Sequence, residues 1–246
     1  MSVKISIITV SYNSEDTIER TIKSVLAQTV LPYEYLIIDG ASSDNTLELA
    51  EKYRCEFEKK QIAYHIFSEP DSGIYDAMNK GIKKAQGDII GMINSDDWYE
   101  KNALQVVSHA YETTPFDLFF ADLIMHMPNG KTFIKRCRNR RYATSRDWNH
   151  PTTFITKKMY ETYQYRNETI HDDYDLILRI KKAGARVVTK NIAIADFTMN
   201  GVSHQKNLGA AMSRVMIKYR IYRQNGYSPI YFFECFLVEL AKLIVG

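Results

Sequence analysis

Two adjacent carboxylates, Asp96 and Asp97, follow a short apolar run and precede Trp98. Neighbouring carboxylates at the end of a buried strand repel each other unless a cation compensates their charge. Mg²⁺ and Mn²⁺ are hard cations that bind carboxylate oxygens and keep positions open for phosphate oxygens. Such a pair is also common on solvated turns, so the polar loops around it decide between a metal site and a turn.

A second acidic group, HDDYD at residues 171–175, begins a segment with helical character. The helix dipole favours acids in a first turn, which accounts for at least one of them. Three acids in four positions exceed that need, so we expect one carboxylate to be available as a general base. His150 and His204 lie in polar loops and are either structural or functional; His204 is a candidate metal ligand or phosphate contact.

The elements that must position these residues alternate between strand and helix up to about residue 100. Such alternation predicts an α/β fold with a single, mostly parallel sheet flanked by helices. Ser14 or Asp16 is the expected N-cap of the first helix. The predicted strands are 3–10, 35–38, 63–68 and 88–93, and the predicted helices are 14–28, 46–53 and 75–85.

Polar residues follow each of these strands, at 11–13, 39–44, 69–73 and 94–97. Open α/β sheets bind ligands beyond the carboxyl ends of their strands, so the four loops are expected to converge on one crevice. Asp39 is either a turn residue or a carboxylate that accepts the imide N–H of a nucleobase. Ser42 is either a further polar contact in the crevice or a cap of the next helix.

Beyond residue 100 the pattern predicts a small hairpin, short strands and a helical tail. The predicted elements are hairpin strands at 117–126 and 132–135, a strand at 152–156, a helix at 172–183, a strand at 186–188 and helical structure from 208. Residues 231–245 are strongly apolar, and this helix packs on the domain, on a second subunit or on a membrane surface. In the membrane alternative, Arg214, Lys218, Arg220 and Arg223 face anionic headgroups.

Composition is that of an ordinary globular protein of 246 residues, with 45% apolar and 25% charged residues. The net charge of +3 does not predict a nucleic acid partner, although residues 131–146 carry seven Lys or Arg and no acid. The three cysteines lack metal-ligand spacing and fit a reducing compartment. There is neither a signal-peptide pattern nor an apolar run of about 18 residues. We expect a cytoplasmic protein, with peripheral attachment to the inner face of the membrane left open.

Together these motifs resemble the family 2 glycosyltransferases of GT-A fold, particularly bacterial enzymes that build polysaccharide and O-antigen repeating units. The resemblance covers residues 1 to about 205. It rests on ITVSYN at 8–13, SVLAQT at 24–29, IDGASSDNT at 38–46, EPDSGIYDAMNKG at 69–81, GD at 87–88, NSDD at 94–97, HP at 150–151 and DYDL at 173–176 with Arg179.

The resemblance implies a nucleotide-sugar donor, with UDP the expected nucleotide, and a divalent metal, Mn²⁺ or Mg²⁺. Tyr12 and Asn13 then flank the nucleobase, which Asp39 binds. Asp96 binds the metal and Asp97 supports it, with His204 as a possible third ligand. The other implied donor-side residues are Ser42, Asp71, Asp76, Asn79, Lys80, Asn94 and Ser95.

The resemblance also implies an inverting, in-line displacement in which Asp173 deprotonates the acceptor hydroxyl. His150, Asp172 and Arg179 fall on the acceptor side. The acceptor implied is a saccharide linked to a lipid diphosphate. Residues 1–205 form the GT-A domain, with a nucleotide-binding half at 1–100 and an acceptor-binding half at 101–205, and residues 206–246 form the tail.

Two positions depart from the family pattern. Asn94 replaces the first acid of the Asp-X-Asp motif, which predicts a metal held chiefly by the donor diphosphate. Met78 stands where many relatives carry an arginine, so a donor-phosphate contact must come from Lys80 or from the basic segment 131–141.

Two functions other than glycosyl transfer share parts of this pattern. A sugar nucleotidyltransferase shares the α/β crevice but usually has a Gly-rich phosphate loop after its first strand, and Ser11-Tyr12-Asn13-Ser14 is not one. A catalytically weak donor-binding subunit of a membrane glycan-assembly complex is the alternative within the same fold.

Overall fold

The structure is a computed structural model that describes residues 3–144, 146–198 and 208–245. The first part of the chain forms strands β1 (Ile5–Ser11), β2 (Glu34–Asp39), β3 (Ala63–Ser68) and β4 (Ile89–Met92) and helices α1 (Ile18–Leu26), α2 (Thr46–Glu51), α3 (Arg54–Lys59) and α4 (Ile74–Lys84). These strands are all parallel, in the spatial order β3-β2-β1-β4. Every residue of β1 and β2 is buried, as their apolar, β-branched sequences predict.

The second part of the chain extends the sheet with antiparallel pairs. Its elements are β5 (Trp98–Tyr99), α5 (Ala103–Thr113), β6 (Leu118–His126), β7 (Thr132–Lys135), β8 (Phe154–Thr156), α6 (Lys157–Thr162), α7 (Asp172–Lys182), β9 (Val187–Thr198), α8 (Leu208–Gln224) and α9 (Tyr231–Val245). Strand β8 is antiparallel to both β4 and β6, whereas β9 is parallel to β6. The sheet is therefore mixed, and its parallel character is concentrated in the first part of the chain.

The predicted α/β architecture, with its hairpin and helical tail, is confirmed. The hairpin of β6 and β7 pairs antiparallel. Helix α1 starts at Ile18, later than predicted, because the carbonyl of Ser14 accepts from the N–H groups of Thr17 and Ile18 in a preceding turn. Neither Ser14 nor Asp16 is its N-cap. Helix α5 and most of β9 are additional to the predicted elements.

The core lies on both faces of the sheet. Successive residues of β1 point to opposite faces, so Ile7 packs with α1 and α5, and Ile8 packs with α4. The tail joins the second of these clusters, to which it contributes Tyr222 of α8 and Tyr231 of α9. Burying a large side chain of this kind contributes about 1.5–3 kcal/mol, so the tail is a packed part of the fold. Among the described helices, none is both long enough and apolar enough to cross a bilayer.

Candidate active site

Three strand ends meet at the buried carboxylate of Asp39. In the parallel register Asp39 lies between Ser11 of β1 and Ser68 of β3. It accepts from the hydroxyl groups of Ser11 (3.1 Å) and Ser68 (2.8 Å) and from the N–H (2.8 Å) and hydroxyl (2.5 Å) of Ser42. Asp39 therefore fixes three strand ends relative to one another, and a ligand bound to it must share or displace these donors.

Gly40 allows Tyr12 and Asp71 to approach the end of β2. A Cβ atom at Gly40 would lie 2.6 Å from Oδ2 of Asp71 and 3.3 Å from the ring of Tyr12. The other oxygen of Asp71 accepts from the N–H of Gly73 (2.9 Å), and Tyr12 is 65% exposed. An exposed aromatic ring beside a carboxylate suits a nucleoside, because the base can stack and the ribose hydroxyls can donate.

The loop after β1 is cross-linked to the loops after β2 and β4. Asn13 and Ala41 have positive φ values of 46° and 61°, which cost conformational energy in residues with a Cβ atom. The N–H of Asn13 donates to the hydroxyl of Ser42 (2.8 Å). The hydroxyls of Ser14 and Ser95 lie 2.8 Å apart. These bonds hold the three loops together at one edge of the sheet, as the sequence predicted.

The start of α4 places a cation beside this edge. Lys80 donates to the carbonyl of Pro70 (2.7 Å), and its ammonium lies 3.3 Å from Asp76. The N–H of Ser72 and the ammonium of Lys80 lower the pKa of the Asp76 carboxyl. Met78 is buried in the core and contributes no charge here. Lys80, one of the two predicted cation sources for the donor phosphate, therefore lies beside the polar loop at 69–73.

Helix α1 clamps the backbone of the segment 94–97. The hydroxyl of Thr21 lies 2.6 Å from the carbonyl oxygen of Asp97 and 3.0 Å from that of Ser95. The guanidinium of Arg20 donates to the carbonyl of Asp96 (2.7 Å). These bonds fix the backbone of Asp96 and Asp97 and thereby the position of both side chains. They use only backbone carbonyl oxygens and none of the carboxylate oxygens.

Asp97 is a buried carboxyl whose ionised form is only partly compensated by the described chain. The residue is 0% exposed, and neither carboxylate oxygen makes a hydrogen bond of normal geometry to a described residue. Burial raises the pKa of Asp97 well above its usual range, and the neighbouring Asp96 raises it further. The N–H of Thr198 and the guanidinium of Arg20 offset only part of this effect. Burial also raises the pKa of Asp96.

These features fit a divalent cation. Carboxylate oxygens are the ligands that Mg²⁺ and Mn²⁺ prefer, and a cation would remove the penalty on Asp97. No group of three or more His, Cys, Asp or Glu residues forms a metal centre in residues 3–144, 146–198 and 208–245. Asp96 and Asp97 are the predicted metal ligands that lie within these residues. His204, the predicted third ligand, lies outside the described residues.

Asp173 lies at the start of α7 and is held by Tyr75 of α4. The hydroxyl of Tyr75 lies 3.1 Å from Oδ1 of Asp173 and 3.2 Å from the carbonyl of Ile170. Burial and the charge of Asp173 raise the pKa of Tyr75 well above its usual range, so the hydroxyl keeps its proton. His150 is near enough to Asp173 for the carboxylate to act on its pKa, which burial lowers. Asp173, the predicted base, is thus hydrogen-bonded to helix α4, which also carries the predicted donor-side residues Asp76 and Lys80.

The sequence profile of Glycosyl transferase family 2 matches residues 6–175, which include every loop described above. The chain belongs to glycosyl transferase family 2. The family resemblance derived from the motifs is therefore confirmed, while the O-antigen branch stays a prediction.

This family 2 chain is similar to TuaG of Bacillus subtilis (strain 168), named as a glycosyltransferase of teichuronic acid biosynthesis. The two are 27% identical over 228 residues, which cover 88% of this chain and 87% of TuaG.

Two solved structures share the fold. The crystal structure of S. aureus TarS residues 1–349 in complex with UDP superposes with a TM-score of 0.68 at 18% identity, covering 99% of this chain and 72% of that one. The mannosyltransferase PcManGT from Pyrobaculum calidifontis, in complex with GDP-Man and Mn²⁺, gives a TM-score of 0.69 at 15% identity, covering 99% and 70%. These similarities support the GT-A-type architecture.

Some predicted site residues of this family 2 chain are engaged inside the protein. Asn79 exchanges two hydrogen bonds with the backbone of Tyr165 (2.8 and 3.1 Å). Asp172 is buried and accepts from the N–H groups of Glu168 (2.8 Å) and Thr169 (2.9 Å). Both side chains hold the loop before α7 in place.

Arg179 is engaged as well. Its guanidinium donates to the carboxylate of Asp175 (2.7 Å) and to the carbonyl of Gln164 (2.5 Å). Asn225 also donates to Asp175 (2.7 Å), which ties α7 to the end of α8. The predicted acceptor contact of Arg179 therefore competes with contacts that support the fold.

Three supporting residues were missed by the sequence reasoning. Tyr75 holds Asp173, Thr21 holds the segment 94–97, and Ser68 donates to Asp39. Ser68 carried a usable signal, because it ends its strand as Ser11 and Asp39 end theirs. Tyr75 and Thr21 act through contacts distant in sequence that no local pattern displays.

Proposed function

We propose that this chain is an inverting, metal-dependent hexosyltransferase. It transfers a sugar from a nucleotide-sugar, with UDP the expected nucleotide, to a hydroxyl of a lipid-linked saccharide. The product is a cell-surface polysaccharide such as an O-antigen repeat. Residues 1–100 form the donor half and residues 101–205 the acceptor half.

The observation that carries the proposal is the buried, only partly compensated carboxylate of Asp97 beside Asp96. A metal bound there supplies positive charge that stabilises the departing diphosphate. Asp96 and Asp97 hold this position because α1 clamps their backbone. The nucleoside lies against Tyr12, Gly40 and Asp71 at the same sheet edge.

Asp173 accepts the proton of the attacking hydroxyl. Tyr75 donates to Oδ1, which leaves Oδ2 for the acceptor. A carboxylate held in this way can act as a general base without forming a covalent intermediate.

The names of similar proteins support the proposed substrate class. TuaG is named for teichuronic acid biosynthesis, TarS was crystallised with UDP, and PcManGT was crystallised with GDP-Man and Mn²⁺. These names support a nucleotide-sugar donor and a surface polymer. UDP and GDP are both represented among them, so the experiment must distinguish the two.

The tail supplies the expected contact with the inner face of the membrane or with a second copy of the chain. Its outer face carries exposed apolar side chains: Leu208, Met212, Met216, Phe233, Leu237 and Leu240. Arg214 and Lys218, expected to face headgroups, are instead buried in ion pairs with Glu239 (2.7 Å each). Any headgroup contact on α8 must therefore use the exposed Arg220 and Arg223.

A thermal-shift panel tests the central claim. UDP-, GDP- and dTDP-sugars are compared with and without Mn²⁺, on the natural protein and on Gly40→Ala. A ligand at a hundred times its Kd stabilises the fold by about 2.7 kcal/mol, or roughly 5–10 °C for a chain of this size. We expect this shift with a UDP-sugar and Mn²⁺, and little shift in Gly40→Ala, because the added Cβ collides with Asp71. Absence of any shift across the panel would overturn the proposal.

A further inference from the structure

A second cleft lies away from the candidate active site. It has a volume of about 620 Å³, within the range of small-molecule sites. Three segments form its wall: residues 139–143, the end of α7 with the start of β9, and the turn between α8 and α9. Its cationic lining residues are Arg140, Arg141, Lys181 and Lys182.

The cleft is basic because no acid lines it among the described residues. Asp147, buried behind the wall, lies 3.6 Å from Arg140 and compensates one of the four cations. Lys181 donates only to neutral acceptors, the amide oxygen of Asn139 (3.1 Å) and the carbonyl of Arg140 (3.3 Å). Arg141 is exposed and makes no ion pair within the described chain.

Hydrogen bonds to neighbouring segments position the ammonium groups of Lys181 and Lys182 at the cleft. Lys181 is half-buried, and burial lowers its pKa. Lys182 donates to the carbonyl of Asn225 (2.5 Å), and a Cβ atom on Gly226 would lie 2.3 Å from its ammonium. Basic residues at a helix C-terminus are favoured by the helix dipole alone. That effect does not explain why a separate segment adds two arginines to the same cavity.

The cleft is also distinct from the donor site. Asp173 lies in the first turn of the 11-residue helix α7, and Lys181 and Lys182 end it. Val187 lines the cleft at the start of β9, whereas Asp196, which pairs with Trp98 beside Asp97, lies nine residues further along this strand. On the paired strand β6 these two positions register with Leu118 and Ile124, which are six residues apart and span roughly 20 Å. The part of the basic segment that lines this cleft, residues 139–141, therefore lies away from the donor site.

Two exposed apolar side chains are neighbours in sequence of lining residues. Tyr142 follows Arg141 and is 47% exposed, and Ile230 lies two residues after Ser228 and is 55% exposed. Tyr142 stacks on Tyr231 at 4.3 Å, which fixes the basic segment to the start of α9. Arginine guanidinium groups bind phosphate oxygens in a bidentate manner, and lysines add point charge.

We propose that this cleft binds a phosphate or diphosphate ester. The exposed side chains of Tyr142 and Ile230 and the exposed tail face make a lipid the fitting carrier of that group, and a soluble phosphate offers the same chemistry. This site is independent of the donor site and goes beyond the proposed function.

Calorimetric titration with inorganic pyrophosphate, in EDTA so that no carboxylate–metal site forms, tests the phosphate chemistry. Arg141→Gln removes a guanidinium that makes no ion pair in the described chain, so the fold should be preserved. Loss of one charge-assisted contact is expected to weaken binding roughly tenfold. Arg138→Gln is the matched control, since Arg138 is exposed in the same segment and does not line the cleft. Lys181→Gln provides a second test from the opposite wall.

Flotation with phosphatidylglycerol and phosphatidylcholine vesicles distinguishes the carriers. Binding to the anionic vesicles that Arg141→Gln weakens and Arg138→Gln does not identifies a lipid-borne phosphate. Pyrophosphate binding without vesicle binding identifies a soluble one. Equal binding by the natural protein and Arg141→Gln, or no binding in either assay, overturns the proposal. The UDP-sugar thermal shift should be unchanged in Arg141→Gln, so failure of this site and failure of the donor site are separable.

Discussion

At the scale of single residues, burial determines what each carboxylate can do. Asp39 is buried but accepts four hydrogen bonds, so its charge is compensated by the protein itself. Asp97 is equally buried, and neither of its carboxylate oxygens accepts a hydrogen bond of normal geometry in the described chain. An uncompensated buried carboxylate destabilises the fold unless a ligand supplies the missing charge. Asp97 is thus maintained at the expense of stability, which is typical of a functional site.

Asp97→Asn should separate stability from function. The folded-state pKa of Asp97 is raised, so its ionisation opposes folding at every pH above the unfolded value near 4. Removing the charge should raise the unfolding free energy of the metal-free protein by about 1–3 kcal/mol at pH 8. The gain should disappear as the pH falls toward 4, where both states are protonated. Denaturant titration measures the stability, and donor hydrolysis in Mn²⁺ should be lost.

The exposed Asp88 offers a matched control, since its carboxylate accepts from the N–H of Lys4 (3.0 Å). Asp88→Asn should give no gain in stability and should retain the Mn²⁺-dependent shift with a UDP-sugar. A loss of stability in Asp97→Asn would show that its charge is compensated within the protein.

At the scale of elements, side-chain contacts rather than strand pairing hold the two tail helices, α8 and α9, against each other. Helices α8 and α9 lie antiparallel, with Tyr222 beside Tyr231 (3.9 Å between ring centroids). Two turns away, Glu239 accepts from Arg214 and Lys218 at 2.7 Å each. All three charged side chains are buried. The pairing fixes the register of the two helices and removes two cations from the surface.

Glu239→Ala should undock the tail. Removal of one partner leaves two cations buried, which costs about 3–5 kcal/mol. The fluorescence of Trp148 should report this, because Trp148 contacts Tyr174 (5.2 Å), and Tyr174 contacts Tyr222 (5.2 Å). Replacing the three together, as Arg214→Met, Lys218→Met and Glu239→Leu, should be close to neutral. Equal destabilisation by the single and triple variants would contradict this account.

How well each strand could be predicted from the sequence depended on its burial. Strands β1 and β2 are covered on both faces, so their apolar runs were recognisable from sequence. Strand β9 was recognised only at its start, because Lys190 and Asn191 interrupt its apolar pattern before the buried residues 194–196. Its pairing with β6 supplies what its own sequence does not display.

At the scale of the whole molecule, the rule that open α/β sheets bind ligands beyond the carboxyl ends of their strands predicted where the polar loops meet. It did not predict which side chains are available there. The four loops converge because parallel strands end at one edge, as the contact between Ser14 and Ser95 shows. The sequence could not tell which acid of the group 171–175 stays available. The structure ties Asp172 to the loop before α7 and Asp175 to Arg179, and it leaves Asp173 beside Tyr75. Each assignment depends on partners that only the folded chain brings together.

The pH dependence of stability is a property of the whole molecule, because buried carboxyls and a buried histidine contribute to it in opposite directions. Burial raises the pKa values of Asp96, Asp97, Glu100 and Glu234, and each of these carboxyls favours the folded state more as the pH falls. His150 acts in the opposite direction. Burial lowers its pKa, so below about 6.5 the unfolded chain binds a proton that the folded chain does not. The melting temperature of the natural protein should therefore fall relative to that of His150→Gln between pH 7.5 and pH 5. The carboxyl contributions are common to both proteins and cancel in this difference. A difference that stays constant across the range would mean that His150 is protonated equally in both states, and that Asp173 outweighs burial at this position.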